Sequence, residues 1–118
     1  METNARHIPF FSIVMPAYGV ESYIERAMNS IVEQTFSDWE LIVVDDCTPD
    51  KSGEIAASIA ENDPRICVVR HEENRGLSAA RNTGMRAASG KYIWFMDSDD
   101  YVERELLHRA HESVVKNP

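Results

Sequence analysis

The chain has 118 residues, a formal net charge of −8 and two cysteines. That length suits one folding domain, which buries roughly two-thirds of its unfolded surface and needs no disulfide scaffold. A content of 43% hydrophobic and 27% charged residues is ordinary for a water-soluble fold and excludes collagen-like, disordered and toxin-like classes.

Met1 to His7 is polar and lacks the apolar core and cleavage site of a signal peptide. Residues 1–9 therefore read as a tail and 10–118 as one domain. Phe10-Phe11-Ser12-Ile13-Val14-Met15 is a short apolar run ending at Pro16, the punctuation of a buried strand. From Glu21 to Gln34, Ile24, Ala27, Met28, Ile31 and Val32 fall on one helical stripe. Leu41-Ile42-Val43-Val44 is a second strand, stopped by Asp45-Asp46, and Thr48-Pro49-Asp50 makes a turn. A helix near Ser52 to Glu61 packs through Ile55, Ile59 and alanines until Asp63-Pro64 breaks it. Ile66-Cys67-Val68-Val69 is the third strand, with Cys67 expected in the core. After the polar loop His71 to Gly76 comes a small-residue helix with Leu77, Ala80, Gly84, Ala87 and Ala88 on one face, closed by Gly90 as its C′ residue. Tyr92-Ile93-Trp94-Phe95-Met96 is the most hydrophobic strand, and Asp97-Ser98-Asp99-Asp100 follows it at once. Leu106, Leu107, Ala110 and Val114 mark a last helix.

The alternation of strand and helix, with unbroken apolar strands, predicts an α/β fold: a Rossmann-like parallel sheet with helices on both faces. Ligands of such sheets bind beyond the carboxyl ends of the strands, where the winding direction switches. In the strand order 3-2-1-4, the crevice between strands one and four is flanked by Pro16-Ala17-Tyr18 and the acidic run. No window approaches the ~20 apolar residues of a membrane span, so the cytoplasm, or its membrane face, is the expected location.

The acidic side chains are unevenly placed: residues 1–59 carry 3 basic and 10 acidic groups, residues 60–118 carry 9 and 10. A net-acidic surface repels nucleic-acid backbones, so no nucleic-acid partner is expected. An acidic protein that takes an anionic small ligand needs a metal ion or placed arginines. Asp97 and Asp99, alternate residues of extended chain, project to the same side as two hard oxygen donors suited to Mg2+ or Mn2+. The plain alternative is a solvated loop whose Asp99 or Asp100 caps the last helix. Of Asp45 and Asp46, one carboxylate could accept from a base N–H or ribose while the other braces the loop. Tyr18 offers an aromatic wall or a simple loop anchor. Arg75 to Asn82 opens a helix whose N–H groups favour phosphate, with Arg81 as a planar donor or a surface ion-pair partner. Cys47 and Cys67 match no zinc or redox spacing and are expected reduced. His108 and His111 read as an exposed helix face.

Four segments taken together resemble the nucleotide-binding half of the family 2 glycosyltransferases, of GT-A fold. They are Phe11 to Tyr18, Ser30 to Asp46, Asn74 to Asn82 and Gly90 to Asp100, within a similarity spanning about residues 8 to 116. The resemblance implies transfer of a sugar, with inversion, from a nucleotide-diphosphate donor, usually UDP-linked, to an acceptor hydroxyl on a glycan, lipid-linked or protein acceptor. It implies nucleotide-binding roles for Pro16, Ala17, Tyr18, Asp45, Asp46, Arg81, Asp97 and Ser98, with Asp46 on the base, and Mn2+ or Mg2+ on Asp97 and Asp99. Many relatives carry Gly, Ser or Asn where this chain has Cys47. The family's catalytic base lies downstream, in the acceptor-binding half, and is expected beyond Pro118. The chain is thus expected to be a truncated, donor-binding part that self-associates through the surface the missing half would cover. The alternative is a non-catalytic nucleotide-binding or interaction domain of the same fold.

Overall fold

A computed structural model describes residues 7–117. Four strands alternate with four helices: β1 Phe11–Ala17, α1 Ile24–Val32, β2 Trp39–Asp45, α2 Ser52–Ala60, β3 Ile66–Arg70, α3 Leu77–Ala87, β4 Tyr92–Phe95 and α4 Leu106–Lys116. All pairings are parallel and the order is β3-β2-β1-β4, as expected. Of the expected tail, residues 1–6 lie outside the described residues. So does Pro118, the position beyond which the resemblance puts the catalytic base.

Strand alternation sorts the core into two faces. Ile13, Met15, Leu41, Val43 and Ile66 meet α1, α2 and α4 through Ile24, Met28, Ile31, Ala56 and Leu107. On the other face, Ile42 and Val44 pack with Ala80 of α3. That contact is close because α3 presents Gly84 to Val14: a Cβ there would lie 2.2 Å from a Val14 methyl. The central strands β1 and β2 are buried on both sides, which is why they read as unbroken apolar runs.

The two edge strands depart from expectation. Cys67 is exposed, because α3 lies over β1 and β2 and leaves that side of β3 open. β4 likewise exposes Ile93 and Phe95, at 42% and 38%, while Trp94 and Met96 turn to the packed face. Leu77 and Ala87 are also exposed, so the buried stripe of α3 is Ala80 and Gly84. Gly90 does not close the helix, whose last residue is Ala87; positive φ among the glycines belongs to Gly19 and Gly76. Gly90 is needed for close approach, since a Cβ would sit 2.5 Å from Ser12 Oγ and 3.0 Å from Ser12 N. The Gly90 N–H donates to that Ser12 hydroxyl at 2.8 Å, which in turn donates to Glu40. On α4, His108 is exposed, but the His111 ring stacks on Phe36 and meets the edge of Phe10.

Candidate functional site

The loop after β1 is held from below by the turn after β2. Gly19 N–H donates to Thr48 Oγ1, Val20 N–H to Ser52 Oγ and Glu21 N–H to Asp50 Oδ2. Asp50 gathers this turn: its Oδ1 accepts from the Thr48 hydroxyl and from both the N–H and hydroxyl of Ser52. Burial works to raise the Asp50 pKa, but the Ser52, Thr48 and Glu21 hydrogen bonds outweigh it and bring it down to about 2. The braced loop leaves Tyr18 half exposed.

Asp45 and Asp46 diverge, as neighbours on a strand must. Asp45 turns toward α2, accepting from Thr48 N–H at 3.0 Å with Arg70 Nε 3.7 Å away. Helix α2 approaches it so closely that a Cβ on Gly53 would lie 2.1 Å from its carboxylate. Asp46 turns toward α3. Its Oδ1 accepts from His71 Nδ1 at 2.8 Å and Arg75 N–H at 2.9 Å; its Oδ2 accepts from Gly76 N–H at 2.9 Å. Burial opposes ionisation of Asp46, but the Arg75, His71 and Gly76 hydrogen bonds prevail and hold its pKa below the ordinary value. Two N–H groups expected to greet a phosphate are thus engaged by Asp46, and Gly76, at φ 94°, supplies the turn into α3.

Asp97, Ser98 and Asp99 leave the end of β4 alternately. Ser98 is buried and its hydroxyl donates to Pro16 O at 2.7 Å, tying the β4 exit to the β1 exit. Asp97 and Asp99 are exposed, and Asp100 joins them: their carboxylate oxygens lie within 4.8 Å of one another. Three exposed hard donors fit a divalent ion that keeps part of its shell for water and phosphate oxygens. The capping alternative does not hold, because α4 starts at Leu106 and Leu107 N–H is met by Gln34 Oε1.

These pieces meet in an open pocket of about 340 Å³, lined by Pro16, Ala17, Tyr18, Asp97, Ser98 and Asp99, with Val20 and Leu77. Of the expected residues, Asp45 lines a separate groove beside Thr48 and Arg70. Asp46 sits behind the pocket wall, its N–H on Ala17 O and its carboxylate on the residue before Leu77. Arg81 stands on α3 with its guanidinium 5.9 Å from the Phe95 ring, and its Nε is buried without a partner among the described residues. A larger groove of about 490 Å³, lined by Arg26, Glu33, Tyr101 and Arg104 among others, gathers charges of both signs and no carboxylate cluster among the described residues.

Three supporting residues carry no sequence signal of their own. Buried His71 bridges Asp46 to Thr83 Oγ1, 2.7 Å from its Nε2. Gln34 donates to Ser30 O and Glu103 O while accepting from Leu107 N–H, so α1 fixes the return of the acidic loop into α4.

Comparison with known proteins agrees with this geometry. The family model described as Glycosyl transferase family 2 matches residues 12–118, up to Pro118. The uncharacterized glycosyltransferase EpsJ of Bacillus subtilis is 51% identical over 110 residues, covering 93% of this chain and 32% of EpsJ. The crystal structure of S. aureus TarS 1-349 in complex with UDP superposes with a TM-score of 0.84 at 34% identity, over 91% of this chain and 32% of that one. The mannosyltransferase PcManGT from Pyrobaculum calidifontis, in complex with GDP-Man and Mn2+, gives a TM-score of 0.73 at 28% identity over 80% of this chain and 29% of that one. The chain spans about a third of the length of EpsJ, of the TarS 1-349 chain and of the PcManGT chain. With a parallel sheet ordered β3-β2-β1-β4, an acidic cluster at its switch point and a family match running from Ser12 onward, the chain belongs to glycosyl transferase family 2.

Proposed function

We propose that residues 10–118 form the donor-binding domain of a metal-dependent, inverting glycosyltransferase that takes an NDP-sugar, UDP-linked, and passes the sugar to an acceptor hydroxyl. The observation that carries this reading is the pocket in which the β1 exit, with its exposed Tyr18, faces the carboxylates of the β4 exit. UDP in the TarS complex and GDP-Man with Mn2+ in the PcManGT complex support the ligand class.

In this reading Tyr18 stacks on the base and Pro16-Ala17 backs it. Asp46 accepts from the base, Asp97 approaches the ribose, and Arg81 adds positive charge along α3. Asp97 and Asp99, with Asp100 beside them, would hold Mn2+ or Mg2+, which neutralises negative charge on the departing diphosphate. Ser98 positions these carboxylates through Pro16. No residue up to Pro118 is assigned the base that deprotonates the acceptor; its place beyond Pro118 belongs to the proposal. Among the described residues no helix is long and apolar enough to cross a membrane. A location in the cytoplasm or at its membrane face is part of the proposal.

Backbone NMR of the chain titrated with UDP and Mg2+ tests the site. Shifts concentrated at residues 16–20, 76–78 and 97–100 are expected. Shifts concentrated at Arg26, Tyr101 and Arg104 instead would move the donor to the larger groove. A second reading, self-association, is favoured by Tyr92, Ile93 and Phe95, exposed at 43%, 42% and 38% on the open edge strand. Sedimentation showing a monomer at high micromolar concentration would refute it.

A further inference from the structure

His71 is among the most buried polar residues of the chain, and both its ring nitrogens are engaged. Its environment dictates the tautomer. Asp46 is ionised and can only accept, so His71 Nδ1 carries a hydrogen; Thr83, a hydroxyl able to donate or accept, satisfies Nε2. A carboxylate offers about four lone-pair positions. His71 and Arg75 occupy both on Oδ1, and Gly76 occupies one on Oδ2. One acceptor position therefore remains, on Oδ2, and no donor position exists. Asp46 adjoins two residues of the candidate pocket: its backbone N–H donates to Ala17 O, its Oδ2 accepts from Gly76 N–H next to Leu77, and its side chain retains 5% exposure.

We propose that His71 is a positioning and specificity-determining residue, whose Nδ1–H fixes Asp46 so that its one free lone pair selects a base carrying an imino N–H. Uracil at N3 and guanine at N1 present a donor there. Cytosine and adenine present a ring nitrogen that accepts, which would face a fixed anionic acceptor across the contact. Thr83, on α3, meets only the far nitrogen of the ring, Nε2, and does not touch Asp46 Oδ1. The inference rests on the donor-site reading above and adds to it the side chain that holds Asp46 Oδ1 in place.

The test measures UDP and CDP affinities, with Mg2+ present, for the chain and for His71→Asn, His71→Gln, His71→Ala and Thr83→Val. An asparagine amide can donate from about the place of Nδ1, whereas a glutamine amide reaches the place of Nε2. The unsubstituted chain is expected to prefer UDP over CDP by about tenfold or more. His71→Asn and Thr83→Val should keep that preference and stay within about threefold in UDP affinity. His71→Gln and His71→Ala should lose about tenfold in UDP affinity and most of the preference. Equal loss in His71→Asn and His71→Ala at matched folded fraction, or an unchanged preference in His71→Ala, would overturn the assignment to His71 alone. An unsubstituted chain that binds neither nucleotide would overturn the donor-site reading as well.

Discussion

Replacing Gly84 with alanine sets two effects of opposite sign against each other. In a helix interior alanine is favoured over glycine by about 1 kcal/mol, so propensity alone demands a more stable protein. Against it, the new Cβ would lie 2.2 Å from Val14 Cγ1 and 3.2 Å from Cγ2, well inside the ~3.5–4.0 Å of carbon contact. Val14 cannot give way: it is fully buried, paired to Ile42 on one side and Phe95 on the other, and its branched side chain is stiff. Helix α3 must then lift off the sheet, at an overpacking cost near the upper end of the usual ~1–3 kcal/mol. The net is a loss of roughly 2 kcal/mol, or about 10 °C in Tm for a domain of this size. Thermal unfolding followed by circular dichroism reads it directly. In a Val14→Ala background the penalty should shrink by more than about 1 kcal/mol, since the contacting methyls are gone. A rise in Tm for Gly84→Ala would refute the close packing of α3 on β1.

The remaining predictions concern the loops around the site. Cys47 adopts φ 57°, where a side chain other than Gly or Asn is strained; Cys47→Asn should therefore raise stability by about 0.5–1 kcal/mol in urea unfolding, and a fall would count against the turn geometry. Asp46, Asp50 and Asp63 all have folded pKa values below their unfolded value of 3.8, so their stabilisation is fully present above that value and lost as pH falls toward 2. The urea midpoint should drop between about pH 5 and pH 2.5, with Asp50 contributing on the order of 1 kcal/mol after solvent screening, and Asp50→Asn should flatten that limb. Gln34→Glu replaces a donor to Ser30 O and Glu103 O with an acceptor, which should cost about 2–3 kcal/mol and weaken metal affinity at the acidic loop; unchanged stability would contradict the tether.

The sheet, its strand order and the two exits that form the pocket were legible from apolar runs and the residues that stop them. What a strand's composition does not carry is how far its neighbours extend. Ile66-Cys67-Val68-Val69 and Tyr92 to Met96 read as fully buried, yet each lies at a sheet edge where one face lacks a helix, which exposes Cys67, Ile93 and Phe95. Gly90 looked like a helix terminator because glycine serves both conformation and close approach, and only the Ser12 contact separates the two uses. Nothing local in the sequence separates the partners of the adjacent carboxylates Asp45 and Asp46. Their division between α2 and α3 depends on Gly53, His71 and the 75–76 backbone. His71 and Gln34 act through partners as far as 25 and 73 positions away, beyond the reach of any local pattern.

Calorimetric titration of UDP into the chain, with and without Mn2+ and repeated on Asp99→Ala, bears most directly on the donor site. Binding that needs the ion and weakens by at least about tenfold in Asp99→Ala is expected, as removal of a hard oxygen ligand from a shared metal-diphosphate site requires. UDP binding indifferent to both Mn2+ and Asp99 would contradict it.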